Sequence, residues 1–439
     1  MASPSSQHSR KTTASELEAL SEQTLSDLCS TWFERYHPWF PILHKLSLLQ
    51  ETHNHATPLV DSPQSIVFKA IVAVTLPHWC LSNPLTGKQR SQYSAQYRNE
   101  VIMQAIGNLS LQSLQAILII TTIDYGAGKL SEFWNLVALC KRMATQLGLR
   151  ELVISDCNDL NQLSTVSHRM LSPPTTLIEQ EERIRAYWMT EVLDSMSSLG
   201  AGWNLGLSRP MEEAWFPCNE TIWSFPEKAK AFSSFGDSEV SSAFSSFDTA
   251  SANDRMRWQT QCISVDESLL KWRNSDDTTQ TLSKTNVASD STLVMISVTF
   301  DTAIISLYQR LALPPAGLGE VHGPWYFAIQ RCLSACDDMS TIVRATSDAN
   351  LENISPYMIF CIFVPRNLDL LVYGLKTCGQ RWLFARRLEK VLAVAMAEKK
   401  MAIAQSSLPH QFYNLQYSSL DIDEALRVWS ERPEIAIEE

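Results

Sequence analysis

Glycine is scarce in this chain, 14 of 439 residues. Tight β-turns and phosphate-cradling loops both draw on glycine, and almost no stretch alternates apolar and polar residues as a half-buried strand does. Ten cysteines are present, yet none forms a Cys-x-x-Cys pair. The closest two, Cys332 and Cys336, stand at helical spacing with no second Cys or His pair nearby, so a zinc site is not indicated and reduced thiols of the cytosol or nucleus fit. Gly-x-Ser-x-Gly, His-Glu-x-x-His and dinucleotide fingerprints are missing. Residues 1–24 are polar without an apolar centre, which argues against a secretory signal. The candidate uncharged apolar stretches, Leu109 to Ile123 and Ile354 to Pro365, fall short of the ~20 residues that cross a bilayer. Nor is there an excess of basic residues. A formal charge of −11 leaves no overall footprint for nucleic acid, whose binding rests on clustered Lys and Arg. These absences predict a soluble intracellular protein.

What the chain does have is hydrophobic content, 45%, arranged with helical period. The expected fold class is all-α. After a Ser/Thr-rich tail (1–20), Leu25, Leu28, Trp32, Phe33 and Tyr36 form a stripe that ends near Pro38, since proline cannot continue a helix. Ile66, Ala70, Ile71 and Val74 line a second helix, Tyr93, Tyr97, Val101 and Ala105 a third, and Leu111, Leu114, Leu118 and Tyr125 a fourth. Gly126-Ala-Gly-Lys129 is not a phosphate loop, because Ile123 stands where that loop needs glycine and Leu130 where it needs Ser or Thr, so a helix-to-helix turn is expected. Phe133, Val137, Cys140, Ala144 and Leu147 then line a helix stopped by Gly148. Asp156 to Thr176 reads as a polar linker.

From Glu179 to Trp223 the pattern is richest. Ile184, Trp188, Val192, Met196 and Leu199 predict one buried helix face, Glu181, Glu182, Arg183 and Arg185 a solvated start, Gly200 and Gly202 the stop, and Trp203, Trp215 and Trp223 a loop. A Ser/Phe-rich stretch with FSSF twice occupies 224–253; it is either an inserted surface loop or an activation segment. Helices are expected over 254–273, 293–313, 325–345, 357–375 and 380–404, and 405–439 is an acidic tail that docks a partner or folds back. The acidic pair Asp337-Asp338 lacks the third acidic residue of the Asp-rich metal motif of helical terpene cyclases, since Thr341 stands there, and is read as an exposed patch.

His37 and His44 flank a turn fixed by Pro38 and Pro41. They are either ligands or bases, or turn residues that hydrogen-bond packed backbone; no third ligand stands at a diagnostic spacing, which favours the turn. His53 and His55 are weaker candidates still.

Three segments in order carry a family resemblance. TWFERYHPWFPILHKLSLL, with Trp32, His37, Pro38, Phe40, Pro41 and His44, is similar to the opening of the central regulatory domain of fungal binuclear zinc-cluster transcription factors. KLSEFWNLVALCKRMATQLGLRE, with Trp134 and Gly148, resembles its Trp-bearing helix with an Ala-x-x-Leu-Gly-Leu end. The third segment, with Arg185, Trp188, Asp194, Gly202, Trp203, Asn204, Pro217, Cys218 and Trp223, resembles its central stretch. The resemblance implies a large multi-helix regulatory domain with polar inserted loops, its core at 21–223 and its C-terminal helical part at 254–404.

It further implies a non-enzymatic regulator of RNA polymerase II genes, a specialised metabolite pathway being a common task. The nucleus is the implied location, with shuttling to the cytoplasm. Implied partners are the transcription machinery or a DNA-bound zinc-cluster protein, and a small-molecule effector; no membrane, no cofactor in this chain and no metal are implied. Two departures stand out. Residues 1–28 hold neither the family's six-cysteine zinc cluster nor heptads, so no DNA contact is assignable, and either an upstream exon or a cofactor working beside a DNA-bound protein accounts for that. The family's Leu-Asp-Arg ends here in Ser195, so an ion pair from that arginine is absent. The competing expectation is a helical enzyme or small-molecule binder that keeps the fold without regulating genes.

Overall fold

The computed structural model describes residues 22–52, 62–79, 85–154, 171–201, 216–218, 220–224, 252–274, 290–312, 323–358 and 374–402. Among the described residues there are helices and turns and no strand. The chain divides into two compact units. The first comprises Met1–Asp124, Ser131–Ser197 and Met211–Asp237, the second Tyr125–Leu130, Ser198–Pro210 and Ser238–Glu439.

In the first unit, α1 (Glu22–Arg35) buries its expected stripe completely, and Trp32 stacks on Tyr36 with ring centroids 5.0 Å apart. The turn after it leads into α2 (Lys45–Thr52). Next, α3 (Ser65–Thr75) is buried on nearly every side and ends in a single 3-10 turn, Leu76–His78, where Pro77 supplies no amide for a continuing ladder. The Tyr36 hydroxyl donates to the Val74 carbonyl at 3.3 Å and ties α1 to α3. A capping box between Thr86 and Gln89 starts α4 (Gly87–Gly107), satisfying amides that a helix start leaves free. Its Tyr97, Val101 and Ala105 are buried, while Tyr93 is half-buried.

Helix α5 (Leu111–Gly126) buries Leu111, Leu114, Leu118 and Tyr125. It also buries Asp124, whose two oxygens take Nε and Nη2 of Arg98, both at 2.6 Å. The paired fork leaves neither charge uncompensated, the condition under which a carboxylate can be buried. The GAGK stretch is the expected turn, with Gly128 at φ 71°, a left-handed conformation that favours glycine. Helix α6 (Leu130–Gln146) buries the whole predicted stripe and stops at Gly148, again at φ 71°. A short helix not foreseen from periodicity, α7 (Leu149–Ile154), follows; too few turns are present to show a period. The long α8 (Leu177–Ala201) and the one-turn α9 (Glu220–Ser224) complete the part that holds the candidate site.

The second unit is built on α10 (Ala252–Arg273), α11 (Ser291–Ala312) and α12 (Gly323–Ala345), then α13 (Asp348–Glu352) and α14 (Leu383–Ala402). Helix α11 packs on both α10 and α12. Its 18-residue stretch Ser291–Tyr308 is apolar enough by composition to cross a membrane, and a reading of uncharged stretches passes over it because Asp301 interrupts it. Val294, Val298, Ile304, Ile305 and Tyr308 are all buried against its neighbours, as in the core helix of a bundle.

In the same unit Tyr125 meets Tyr357 and Phe384 at centroid distances of 5.0 and 5.1 Å. A Cβ on Gly126 would lie 2.3 Å from the Trp382 ring, so only glycine allows that approach. Asp337 and Asp338 are exposed, as expected. The expectations for the 1–20 tail, His53 and His55, most of the 156–176 linker, the FSSF stretch, most of the 357–375 helix and the acidic tail lie outside the described residues.

Candidate functional site

Three segments distant in sequence meet around Arg185 on α8. Its Nε donates to Glu181 Oε1 at 2.8 Å, one helical turn earlier on the same face. Its Nη1 reaches the Pro41 carbonyl at 3.2 Å and Glu220 Oε2 at 3.0 Å, and its Nη2 reaches the Cys218 carbonyl at 2.7 Å. The Cys218 amide returns a 2.7 Å hydrogen bond to Glu181 Oε1. Over this planar fork lies the Trp223 ring, 3.9 Å from the guanidinium carbon. Only arginine offers five fixed donors and a stacking face together, and both are used here.

The two histidines of the opening segment flank the same tryptophan. His37 stacks near Trp223, with centroids 6.3 Å apart, and its Nε2 pairs with Glu220 Oε1 at 3.0 Å. His44 lies 5.3 Å from Trp223, shares a 2.7 Å hydrogen bond between Nδ1 and the Ser47 hydroxyl, and donates its backbone amide to Glu182 Oε1 at 3.1 Å. His44 Nδ1 also accepts the Ser47 amide at 3.3 Å, as a turn histidine does, whereas the His37 ring meets the Glu220 carboxylate instead of backbone. Among the described residues no group of three or more His, Cys, Asp or Glu could hold a metal ion.

Burial governs the electrostatics. It pulls the His44 imidazole below its ordinary range, opposed by the Trp223 backbone and the Glu220 charge. It pushes the Glu182 carboxyl up to about 7, with the His44 amide opposing and Glu179 and Glu51 reinforcing. Burial also pushes the Cys218 thiol up to about 12, with Glu181 adding to the shift, which disfavours the thiolate. Glu220 goes the other way: burial would raise it, but hydrogen bonds and charge from His37 and Arg185 hold it low.

Several expectations for this stretch are corrected. Glu181, Arg183 and Arg185 are buried rather than solvated, because each charge finds a partner: Arg183 pairs with Glu179 and donates to the Ser172 carbonyl at 2.7 Å. Ile184 is buried as expected, but Val192 is 49% exposed and Trp188 and Met196 are half-buried, so the rest of the buried face of α8 is set by Ala186, Tyr187, Thr190 and Leu193. Trp188 stacks flat on exposed Phe216 with centroids 4.6 Å apart. Helix α8 ends at Ala201, one residue past Gly200 and where the stop is expected, whereas Trp223 sits fully buried in α9 rather than in a loop. Gly202, Trp203 and Asn204 lie outside the described residues.

Of the remaining motif residues, Trp32 and Phe40 are fully buried and meet edge to face at 6.0 Å, while Pro38 and Pro217 are exposed. Trp134 is half-buried; its neighbour Phe133 takes the core position. Asp194 pairs with Lys141 of α6 at 3.1 Å, and Lys141 also holds Glu191 at 2.8 Å, so a lysine from another helix supplies the cation that position 195 lacks. Sequence reasoning missed Glu181, Glu220 and Lys141. An acidic residue four before an arginine on a helix was the available signal for Glu181, whereas Glu220 and Lys141 carry no local mark.

The cluster is thus a knot of hydrogen bonds between three segments, with the Ser47 hydroxyl and the Glu220 carboxylate at its exposed edge. The chain matches the family described as the fungal specific transcription factor domain over residues 29–253, just over half its length. It is 28% identical over 432 residues to the notoamide biosynthesis cluster transcriptional coactivator notQ' of Aspergillus versicolor, covering 92% of this chain and 73% of the relative. It is also 27% identical over 141 residues to the lactose regulatory protein of Kluyveromyces lactis, covering 31% of this chain and 16% of that longer protein. No solved structure gives a significant match. The Arg185 knot lies wholly inside the matched region, and with that match the chain belongs to the fungal-specific transcription factor domain family of gene regulators.

Proposed function

We propose that this chain is a transcriptional coactivator of a fungal specialised-metabolite gene cluster, working in the nucleus beside a DNA-bound zinc-cluster protein. The observation that carries the reading is similarity along nearly the whole chain to a coactivator of a biosynthesis cluster. The acidic balance supports it, because a regulator without a basic footprint reaches promoters through a partner rather than through phosphate contacts. No cofactor held by this chain enters the mechanism.

The test is transcript abundance across the genome with the gene deleted and then restored. A set of co-located biosynthetic genes falls on deletion and recovers on restoration. Unchanged transcripts for every such set under conditions where the protein is made would overturn the reading.

A further inference from the structure

In the second unit, Asp301 sits near the middle of α11 with 2% of its surface exposed. Its Oδ2 is buried and accepts no hydrogen bond. The cations near it make their direct contacts with other groups, and a second carboxylate adds repulsion. From α10, Asp266 takes Arg331 of α12 in a fork of 2.8 and 2.6 Å and accepts the Tyr308 hydroxyl at 3.0 Å, so the cation nearest in kind is committed elsewhere. Arg273, also on α10, lies over the Phe300 ring at 4.8 Å rather than on the carboxylate. Asp338 of α12 adds a like charge.

Desolvation, an oxygen without a donor and a nearby carboxylate all favour the neutral acid over the charged form. Burial first, then Asp338, push its acid strength down to a pKa of about 7, against the opposing pull of Arg273 and Arg331.

We propose that Asp301 is a proton-operated switch in the α10, α11 and α12 bundle: protonated, it lets the three helices close, and on losing its proton to solvent it loosens them. The sign follows from linkage. The unfolded chain gives up this proton near the ordinary carboxylate range and the folded chain only near neutrality, so the stabilisation is complete at low pH and is lost as pH rises toward about 7. The inference concerns the second unit alone and is independent of the coactivator reading.

Hydrogen exchange of the full chain tests it, following α11 and α12 at pH 5.5 and 8.5 after correction for intrinsic rates. Protection in wild type should fall by about tenfold or more at the higher pH, one decade per pKa unit of differential proton binding. Asp301→Asn, a neutral isostere, should hold its protection constant. Asp338→Asn, at an exposed position, should move the wild-type midpoint to lower pH and keeps the test decisive if Asp301→Asn does not fold. Equal pH dependence in wild type and Asp301→Asn, an unmoved midpoint in Asp338→Asn, or constant protection in wild type overturns the proposal.

Discussion

The guanidinium of Arg185 lies 3.9 Å beneath the Trp223 ring and closes, through Glu220, on His37. One side chain on α8 thereby holds both the turn after α1 and the one-turn helix α9. Arg185→Met should destabilise the first unit by about 3–5 kcal/mol, because it leaves Glu181 buried without its cation. Arg185→Lys should recover only part of the loss, since an ammonium reproduces neither the fork nor the stacking face. Denaturant unfolding of the three proteins measures the order; a lysine variant equal to wild type would show that charge alone matters there.

Trp223 and Trp188, both prominent in the same stretch, should respond differently. Trp223 is fully buried, so Trp223→Ala should cost about 3–5 kcal/mol as a large-to-small core change. Trp188 is half-buried against exposed Phe216, and Trp188→Ala should fall within the ordinary range of about 0.5–3 kcal/mol. Melting curves for the pair decide the ranking, and equal losses would place Trp188 in the core after all.

The stripes of α1 and α6 were legible in the sequence because their partners are apolar, and a period of apolar residues marks the face such partners cover. The buried face of α8 was not. Arg183, Arg185 and Glu181 look solvated in a linear reading, and only Pro41, Ser172, Cys218 and Glu220, brought in by the fold, make their burial tolerable. Likewise the motif order along the chain identified the family without disclosing Glu220 or Lys141, whose pairings depend on segments far apart.

Glu182 gives the first unit a pH dependence of definite sign. Its carboxyl titrates near 7 in the folded chain against an ordinary value of 4.5, so its contribution is whole at acid pH and drains away as pH rises between those values. Glu182→Gln keeps an oxygen for the His44 amide and removes the titration. Unfolding free energies at pH 5 and pH 8 should therefore converge for the variant relative to wild type; parallel curves would show that Glu182 is ionised throughout.

Gly126→Ala should disturb the second unit by about 1–3 kcal/mol, the usual cost of overpacking, because its Cβ would fall 2.3 Å from the Trp382 ring. Combining it with Trp382→Leu should relieve much of the loss. Thermal unfolding reads the interaction, and strictly additive effects would mean that the close approach is not what the glycine is for.

The coactivator reading is tested most directly by tethering. Fused to a heterologous DNA-binding domain in a host without its natural partner, the chain should activate a reporter carrying that domain's sites, whereas the same chain unfused should not. No activation by a well-expressed, nuclear fusion, or equal activation by the unfused chain, would contradict the account.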